Sequence, residues 1–262
     1  MTLEFHNVDC ITFMEGLEDN SVTMTLTDIP YDVVNNYECG IREYNKGKAD
    51  VLTFDLQSFI DETIRVTSGS IYVFCSTEQV SQLRSEYAKA GLSTRLCIWE
   101  KTNPAPVHGD KFWLSSLECC VFARKSKATF NEHCSSSVWR EAIEKSVKHH
   151  PTPKPIKLLA RIIKASTNPG DTVLDPCMGS GTTAMACKGT KRNFIGCDLD
   201  EKYATLAESW VTGMGEEKIE QTWNGVADGN SPGPLESLFL SCALLLTLNA
   251  ELNTPKTMFV PT

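Results

Sequence analysis

The chain has 262 residues, with 25 Lys+Arg against 33 Asp+Glu and a net charge of -8. That length suits one large α/β domain or a domain with an insertion, and the acidic balance excludes a surface that binds nucleic acid indiscriminately. The 11 cysteines form no CxxC pair and no regular spacing, which excludes a disulfide framework and a zinc site and points to a reducing compartment.

Strand and helix patterns alternate along the chain. Ser21–Thr27 is rich in β-formers and runs into Asp28. Helical spacing of Phe54, Phe59, Ile60 and Ile64 predicts a helix over Thr53–Val66, and Ser70–Cys75 is a buried-strand run. Glu78–Ala90 reads as a helix stopped by Gly91, followed by strands over Leu92–Glu100 and Leu117–Ala123. A helix over Ile156–Ala165, with Leu158, Leu159, Ile162 and Ile163 on one side, leads to a strand at Thr172–Leu174. Thr182–Lys188 is a helix, Asn193–Cys197 a strand and Glu201–Val211 a helix. This alternation predicts an α/β fold, doubly wound around a mostly parallel sheet covered on both faces.

Two segments interrupt the pattern. Asp32–Val51 is polar and reads as a loop directly after Tyr31. Thr102–Pro155 is irregular, and long irregular segments in compact domains are usually functional or disordered. From Lys101 to Lys164 there are 12 Lys+Arg against 5 Asp+Glu, whereas the rest of the chain has 13 against 28. A local basic excess of this kind is the footprint of a phosphate-facing surface, although a solvated loop would also carry it. After about Gly213 the motif content ends: Gly225–Pro234 reads as a linker and Leu235–Leu248 as a helix. No apolar run reaches the ~18 residues of a membrane span, and no leader opens the chain, so a cytoplasmic location is expected.

The chemistry concentrates in two places. Val173-Leu174-Asp175 is a strand ending in an acid, followed by Pro176-Cys177-Met178-Gly179-Ser180-Gly181-Thr182-Thr183. The glycines permit a tight turn and close approach of a ligand, and Thr182 and Thr183 suit a helix start. Asp198 ends the next strand, where an acid takes hydrogen bonds from ribose hydroxyls. The loop lacks the third glycine of a diphosphate cradle and the lysine of a P-loop. Asp175 beside the glycines suits instead a cofactor bearing an ammonium and a sulfonium, S-adenosylmethionine. A tight strand–turn–helix without a ligand is the plain alternative.

The second place is Asp28-Ile29-Pro30-Tyr31, at the end of the earlier strand. An exocyclic amine on a base is a poor nucleophile because its lone pair is delocalised into the ring. Hydrogen bonds accepted by the Asp28 carboxylate and the Ile29 carbonyl would aim that lone pair at a methyl donor. Pro30 stiffens the turn, and Tyr31 offers a face for a base removed from its helix. Alone, the tetrapeptide is ordinary turn chemistry.

Taken together, the two motifs in this order resemble the β class of amino-group DNA methyltransferases, whose chains are circularly permuted so that the catalytic motif precedes the cofactor loop. The resemblance covers roughly residues 3–212. It implies a seven-stranded Rossmann-like methyltransferase sheet, with residues 1–212 as the catalytic domain and 213–262 as a tail without family counterpart. It implies S-adenosylmethionine held by Asp175, Cys177, Gly179, Ser180, Gly181, Thr182 and Asp198, with Asp9 near the adenine. Pro151-Thr152-Pro153-Lys154-Pro155 resembles the family segment that closes over the methionine end, which makes Thr152 and Lys154 cofactor contacts. Two positions depart from the pattern: the family usually has proline where Ile29 stands, and an aromatic or bulky residue is common where Cys177 stands.

An Asp heading the catalytic motif favours the N6 amine of adenine over the N4 amine of cytosine. A methyltransferase acting on RNA or protein glutamine, or an idle DNA-binding relative, would share parts of the pattern. Pro176-Cys177 does not indicate a thiolate attacking cytosine C5, since the pair lies within the cofactor loop. The target-recognition segment is expected at residues 103–150, with Lys111, Arg124, Lys125, Lys127, Arg140, Lys145 and Lys148 facing double-stranded DNA. His108, His133, His149 and His150 lack metal-ligand spacing, so no metal is expected. A homodimer and a companion restriction nuclease are compatible partners.

Overall fold

A computed structural model describes residues 1–31, 52–106, 111–144 and 154–215. The expected loop over 32–51, the residues Thr152, Lys145 and Lys148, and the expected linker and helix beyond 215 lie outside the described residues.

The chain alternates strands and helices as its apolar runs dictate. Strand β1 (Leu3–Asn7) leads to helix α1 (Cys10–Glu15), then β2 (Val22–Asp28) and α2 (Leu56–Val66). β3 (Thr67–Cys75), α3 (Val80–Lys89), β4 (Ser93–Lys101), β5 (Leu117–Arg124) and β6 (Val138–Glu141) follow. The remainder is α4 (Ile156–Ser166), β7 (Thr172–Asp175), α5 (Thr182–Thr190), β8 (Asn193–Asp198) and α6 (Glu201–Gly213). The strands form one sheet in the order β1-β8-β7-β2-β3-β5-β4-β6, in which β5 alone runs antiparallel.

Among the described residues the sheet has eight strands rather than the expected seven. The addition is β6, which rises out of the basic segment and pairs with the outer side of β4. Its sequence, Val-Trp-Arg-Glu, buries one large side chain, Trp139, against the rings of Tyr72 and Phe74 at 6.5 and 6.4 Å. Four residues give too little alternation to mark a strand in sequence. α1 and β1 escape a pattern reading for the same reason of length. α1 is fixed instead by its cap, the Asp9 carboxylate accepting from the backbone N–H of Ile11 and Thr12 at 3.0 and 3.1 Å.

Two apolar cores lie on opposite faces of the sheet. Along β3, Tyr72 and Phe74 join α4, α5 and α6 through Leu158, Leu159, Ala184 and Ala207, while Ile71, Val73 and Cys75 join α1, α2 and α3 through Met14, Phe59, Ile60 and Leu83. A strand read as a continuous apolar run is thus one whose two faces are both covered. Each buried Leu or Ile contributes ~1.5–3 kcal/mol relative to exposure, so the two cores hold the strand ends in fixed register.

Helix α5 starts at Gly181, whose φ of 86° is left-handed. A Cβ there would stand 2.8 Å from Cβ of Ala207, so glycine is required both by the backbone and by the close approach of α6. Gly181→Ala should therefore lower the free energy of unfolding by about 1–3 kcal/mol in urea melts, before any effect on ligand binding is considered.

Candidate active site

Strands β1, β8, β7 and β2 are neighbours and all run the same way, so their carboxyl ends share one edge. The acids follow from that geometry. Asp28 ends β2, Asp175 ends β7, Asp198 ends β8, and Asp9 lies just past β1. With adjacent strands about 4.8 Å apart, the four carboxylates occupy a row roughly 15 Å wide. The crevice beyond the carboxyl ends of an open α/β sheet is where ligands bind.

The loop between β7 and α5 folds back on β8. The backbone N–H of Gly179, at φ 50°, donates to Asp198 Oδ2 at 2.9 Å, and that of Asp200 donates to Oδ1 at 2.9 Å. Ser180 and Thr182 are buried in the turn, and the Cys177 N–H donates to Asp175 Oδ1 at 3.1 Å. Burial pushes the Asp175 carboxyl up to about 6, against the opposing pull of the Thr183 hydroxyl. Its other perturbing neighbours are a hydroxyl, a backbone amide and a second carboxylate, Asp28, rather than a base. A buried acid surrounded in this way fits a cationic ligand, as an ammonium or sulfonium would be. The Cys177 thiol is pushed well up by its hydrogen bond with Cys10 and by burial, so it is no thiolate nucleophile.

At Asp28 the structure brings together residues far apart in sequence. Lys154 Nζ donates to Asp28 Oδ2 and to Glu118 Oε2, the latter at 3.0 Å, and Lys154 is only 5% exposed. Tyr31 donates its hydroxyl to Asp28 Oδ1 at 3.0 Å, with Glu118 Oε2 at 3.3 Å. Lys101 Nζ closes the set on Glu118 Oε1 at 2.7 Å. Burial raises the Asp28 carboxyl while Lys154 opposes the rise. Burial would raise Glu118 as well, but Lys154 and Lys101 together hold it down at about 2. Lys154, read from sequence as a cofactor contact, thus sits on the catalytic-motif acid, because α4 begins at Ile156 and delivers the preceding residues to the end of β2.

The turn at Ile29-Pro30 is held from both sides. Ile29 is 2% exposed, its side chain in the core of α1–α3 and its N–H on the Phe74 carbonyl at 3.1 Å. Gln79 Nε2 donates to the Pro30 carbonyl at 2.9 Å, and Gln79 Oε1 accepts from the Ser76 N–H at 2.9 Å. Ile29 therefore serves as a core anchor where the family pattern has proline. Gln79, Glu118 and Lys101 gave no motif signal in sequence. The one hint at Glu118 was a charge within an otherwise apolar strand.

The basic residues divide by sheet edge. β5 is antiparallel and carries Arg124 beside Ser70 and Ser93, at the amino ends of β3 and β4. Arg124, Lys125 and Lys127 are therefore at the edge opposite Asp28, which corrects their expected place at the DNA-facing surface. Arg124 donates to the Ala128 carbonyl at 2.6 Å and Lys125 to Asn20 Oδ1 at 2.7 Å, contacts that brace loops. Arg140, in register with Glu100 and paired to it at 2.9 Å, and Lys111, in the segment between β4 and β5, stay on the Asp28 side. So do Phe112 and Trp113, 64% and 99% exposed. Among the described residues there is no His, Cys, Asp and Glu group able to hold a metal, and no helix long and apolar enough to cross a membrane.

The raised carboxyl of Asp175 has a measurable consequence. Between about pH 4 and pH 6 the folded chain keeps this proton and the unfolded chain releases it, so the group's contribution to stability falls as pH rises through that window. Asp175→Asn removes the loss. In urea melts the variant should exceed the parent by on the order of 1–3 kcal/mol at pH 7.5 and match it near pH 4.

Comparison with known proteins agrees with this geometry. Over 229 residues the chain is 29% identical to the Streptococcus pneumoniae protein named Type II methyltransferase M2.DpnII, covering 76% of this chain and 85% of that one. It is 30% identical over 237 residues to Type II methyltransferase M.HinfI of Haemophilus influenzae, covering 76% and 66%. Among solved structures, the M1.HpyAVI–SAM complex superposes with a TM-score of 0.63 at 28% identity, covering 80% of this chain and 100% of that one. The PvuII cytosine-N4-specific methyltransferase shares the fold at a TM-score of 0.60 and 16% identity. The family N6_N4_Mtase, described as DNA methylase, matches residues 22–209, and the chain belongs to that family.

Proposed function

We propose that the chain moves a methyl group from S-adenosylmethionine to the N6 amine of an adenine turned out of duplex DNA. The observation that carries this reading is the adjacency of β2 and β7, which sets Asp28 one strand from Asp175 on the same edge. S-adenosylmethionine supplies an electrophilic methyl on a sulfonium that departs as a neutral thioether. Asp175 meets the positive end of that ligand, Asp198 its ribose hydroxyls, and Asp9 lies toward its adenine. Cys177, Gly179, Ser180, Gly181 and Thr182 shape the turn around it.

Asp28 accepts one amine hydrogen of the target base and the Ile29 carbonyl the other, which turns the nitrogen lone pair toward the methyl. As the N–C bond forms and the S–C bond breaks, positive charge develops on that nitrogen, the carboxylate beside it stabilises the charge in a partly water-excluded site, and the surplus amine proton then leaves to solvent. Pro30 and Gln79 hold the turn, and Tyr31 presents its ring to the base. Lys111 and Arg140 face phosphates, with Phe112 and Trp113 next to Lys111 in the chain. The relatives' type further suggests a companion nuclease recognising the same sequence.

Incubation of the purified protein with methyl-tritiated S-adenosylmethionine and unmethylated genomic DNA should place label in N6-methyladenine. Asp28→Ala should lower the rate by at least about 100-fold. Label in N4-methylcytosine would reassign the base, and full activity in Asp28→Ala would remove the chemistry proposed. Affinity for the cofactor should weaken as pH falls through about 6, the range in which Asp175 gains a proton, as isothermal titration between pH 5 and 7.5 would report.

A further inference from the structure

Each carboxylate oxygen of Asp28 already accepts a hydrogen bond in this structure, Oδ1 from the Tyr31 hydroxyl and Oδ2 from the Lys154 ammonium, so an incoming amine competes with a cation for the charge on Oδ2. A base amine needs one of them. The ammonium is the charged occupant, and it is buried, so it cannot simply retreat without a partner: an unpaired buried charge is costly. A second acceptor is already in place. Glu118 Oε2 stands 3.0 Å from Lys154 Nζ, and Glu118 is itself anchored through Oε1 by Lys101 at 2.7 Å. Two carboxylates and two ammonium groups thus form a neutral set, linked in the order Asp28, Lys154, Glu118, Lys101.

We propose that Glu118 is a positioning residue for methyl transfer. It receives Lys154 when the target amine arrives, and so frees Asp28 Oδ2 without leaving a buried charge unpaired. Lys101 serves to hold Glu118 still. No covalent step is involved: one N–H···O contact shortens as another is given up to the amine. The geometry favours such an exchange because Lys154 already touches both acids, and the rings of Tyr31 and Phe74 each lie 5.3 Å from its Nζ, a surface on which an ammonium can shift while remaining attracted. The inference rests on the proposed methyl transfer and adds to it a residue from β5.

The test compares Glu118→Gln and Glu118→Asp with the parent protein, using tritiated S-adenosylmethionine and unmethylated genomic DNA, and measures cofactor binding separately by titration calorimetry. Glu118→Gln keeps the shape and removes the charge. It should lower kcat/KM for DNA about tenfold or more while the cofactor Kd stays within about twofold. Glu118→Asp should recover at least about a third of the parent rate. In the Glu118→Gln background, adding Lys154→Gln should cost less than the product of the two single losses, because the two residues act on the same oxygen of Asp28. Parent-like DNA kinetics in Glu118→Gln would overturn the proposal. So would an equal loss of cofactor binding, or a further multiplicative loss in the double variant. A parent protein that labels no adenine would instead remove the methyl-transfer reading itself, which the same assay reports first.

Discussion

Two registered residue pairs, Met24 with Val173 and Thr25 with Leu174, join the first part of the chain to the last. Through them β2 lies beside β7, and the acid ending each strand reaches the same edge. The catalytic motif and the cofactor loop are almost 150 residues apart in sequence, yet they need no loop between them to meet. Strand parallelism does the work: once the pairing is made, the carboxyl ends of β1, β8, β7 and β2 all face the same crevice. The two cores keep this arrangement rigid by covering both faces of the central strands, so the acids sit on strand ends rather than on mobile loops.

Placing four carboxylates along one edge creates an electrostatic problem that the molecule resolves in two ways. On the β2 side, lysines from β4 and from the segment before α4 pair with Asp28 and Glu118, and the charges cancel. On the β7 side, Asp175 has no such partner among its perturbing neighbours, and its carboxyl is left easy to protonate. The same edge is thus neutral at β2 and left with an easily protonated acid at β7.

Much of this was legible in the sequence, for identifiable reasons. Strands such as Ser70–Cys75 are long apolar runs, and helices such as Ile156–Ser166 repeat their apolar residues at helical spacing, so both announce themselves locally. The cofactor loop carries its own glycines, and Asp28 its own turn. What failed was whatever depended on direction or distance. The basic excess between residues 103 and 150 is a matter of net charge, which says nothing of the antiparallel course of β5 that takes Arg124 to the far edge. Glu118 and Lys101 meet because β4 and β5 pair across a connection, and Gln79 finds Pro30 across 49 residues. Neither relation has a local pattern. The pairing of Lys154 with Asp28 and Glu118 has no local pattern either, since only the fold aims the segment before α4.

The position of β6 has a further consequence. It is a four-residue strand on the outer margin of the sheet, four strands removed from β2 and separated from it by β4, β5 and β3. Chain length and composition on either side of it can change without altering the pairing of β2 with β7. A graft confined to that margin would therefore leave the row of acids on β1, β8, β7 and β2 in place, so that this edge of the sheet can be rebuilt without rebuilding the core.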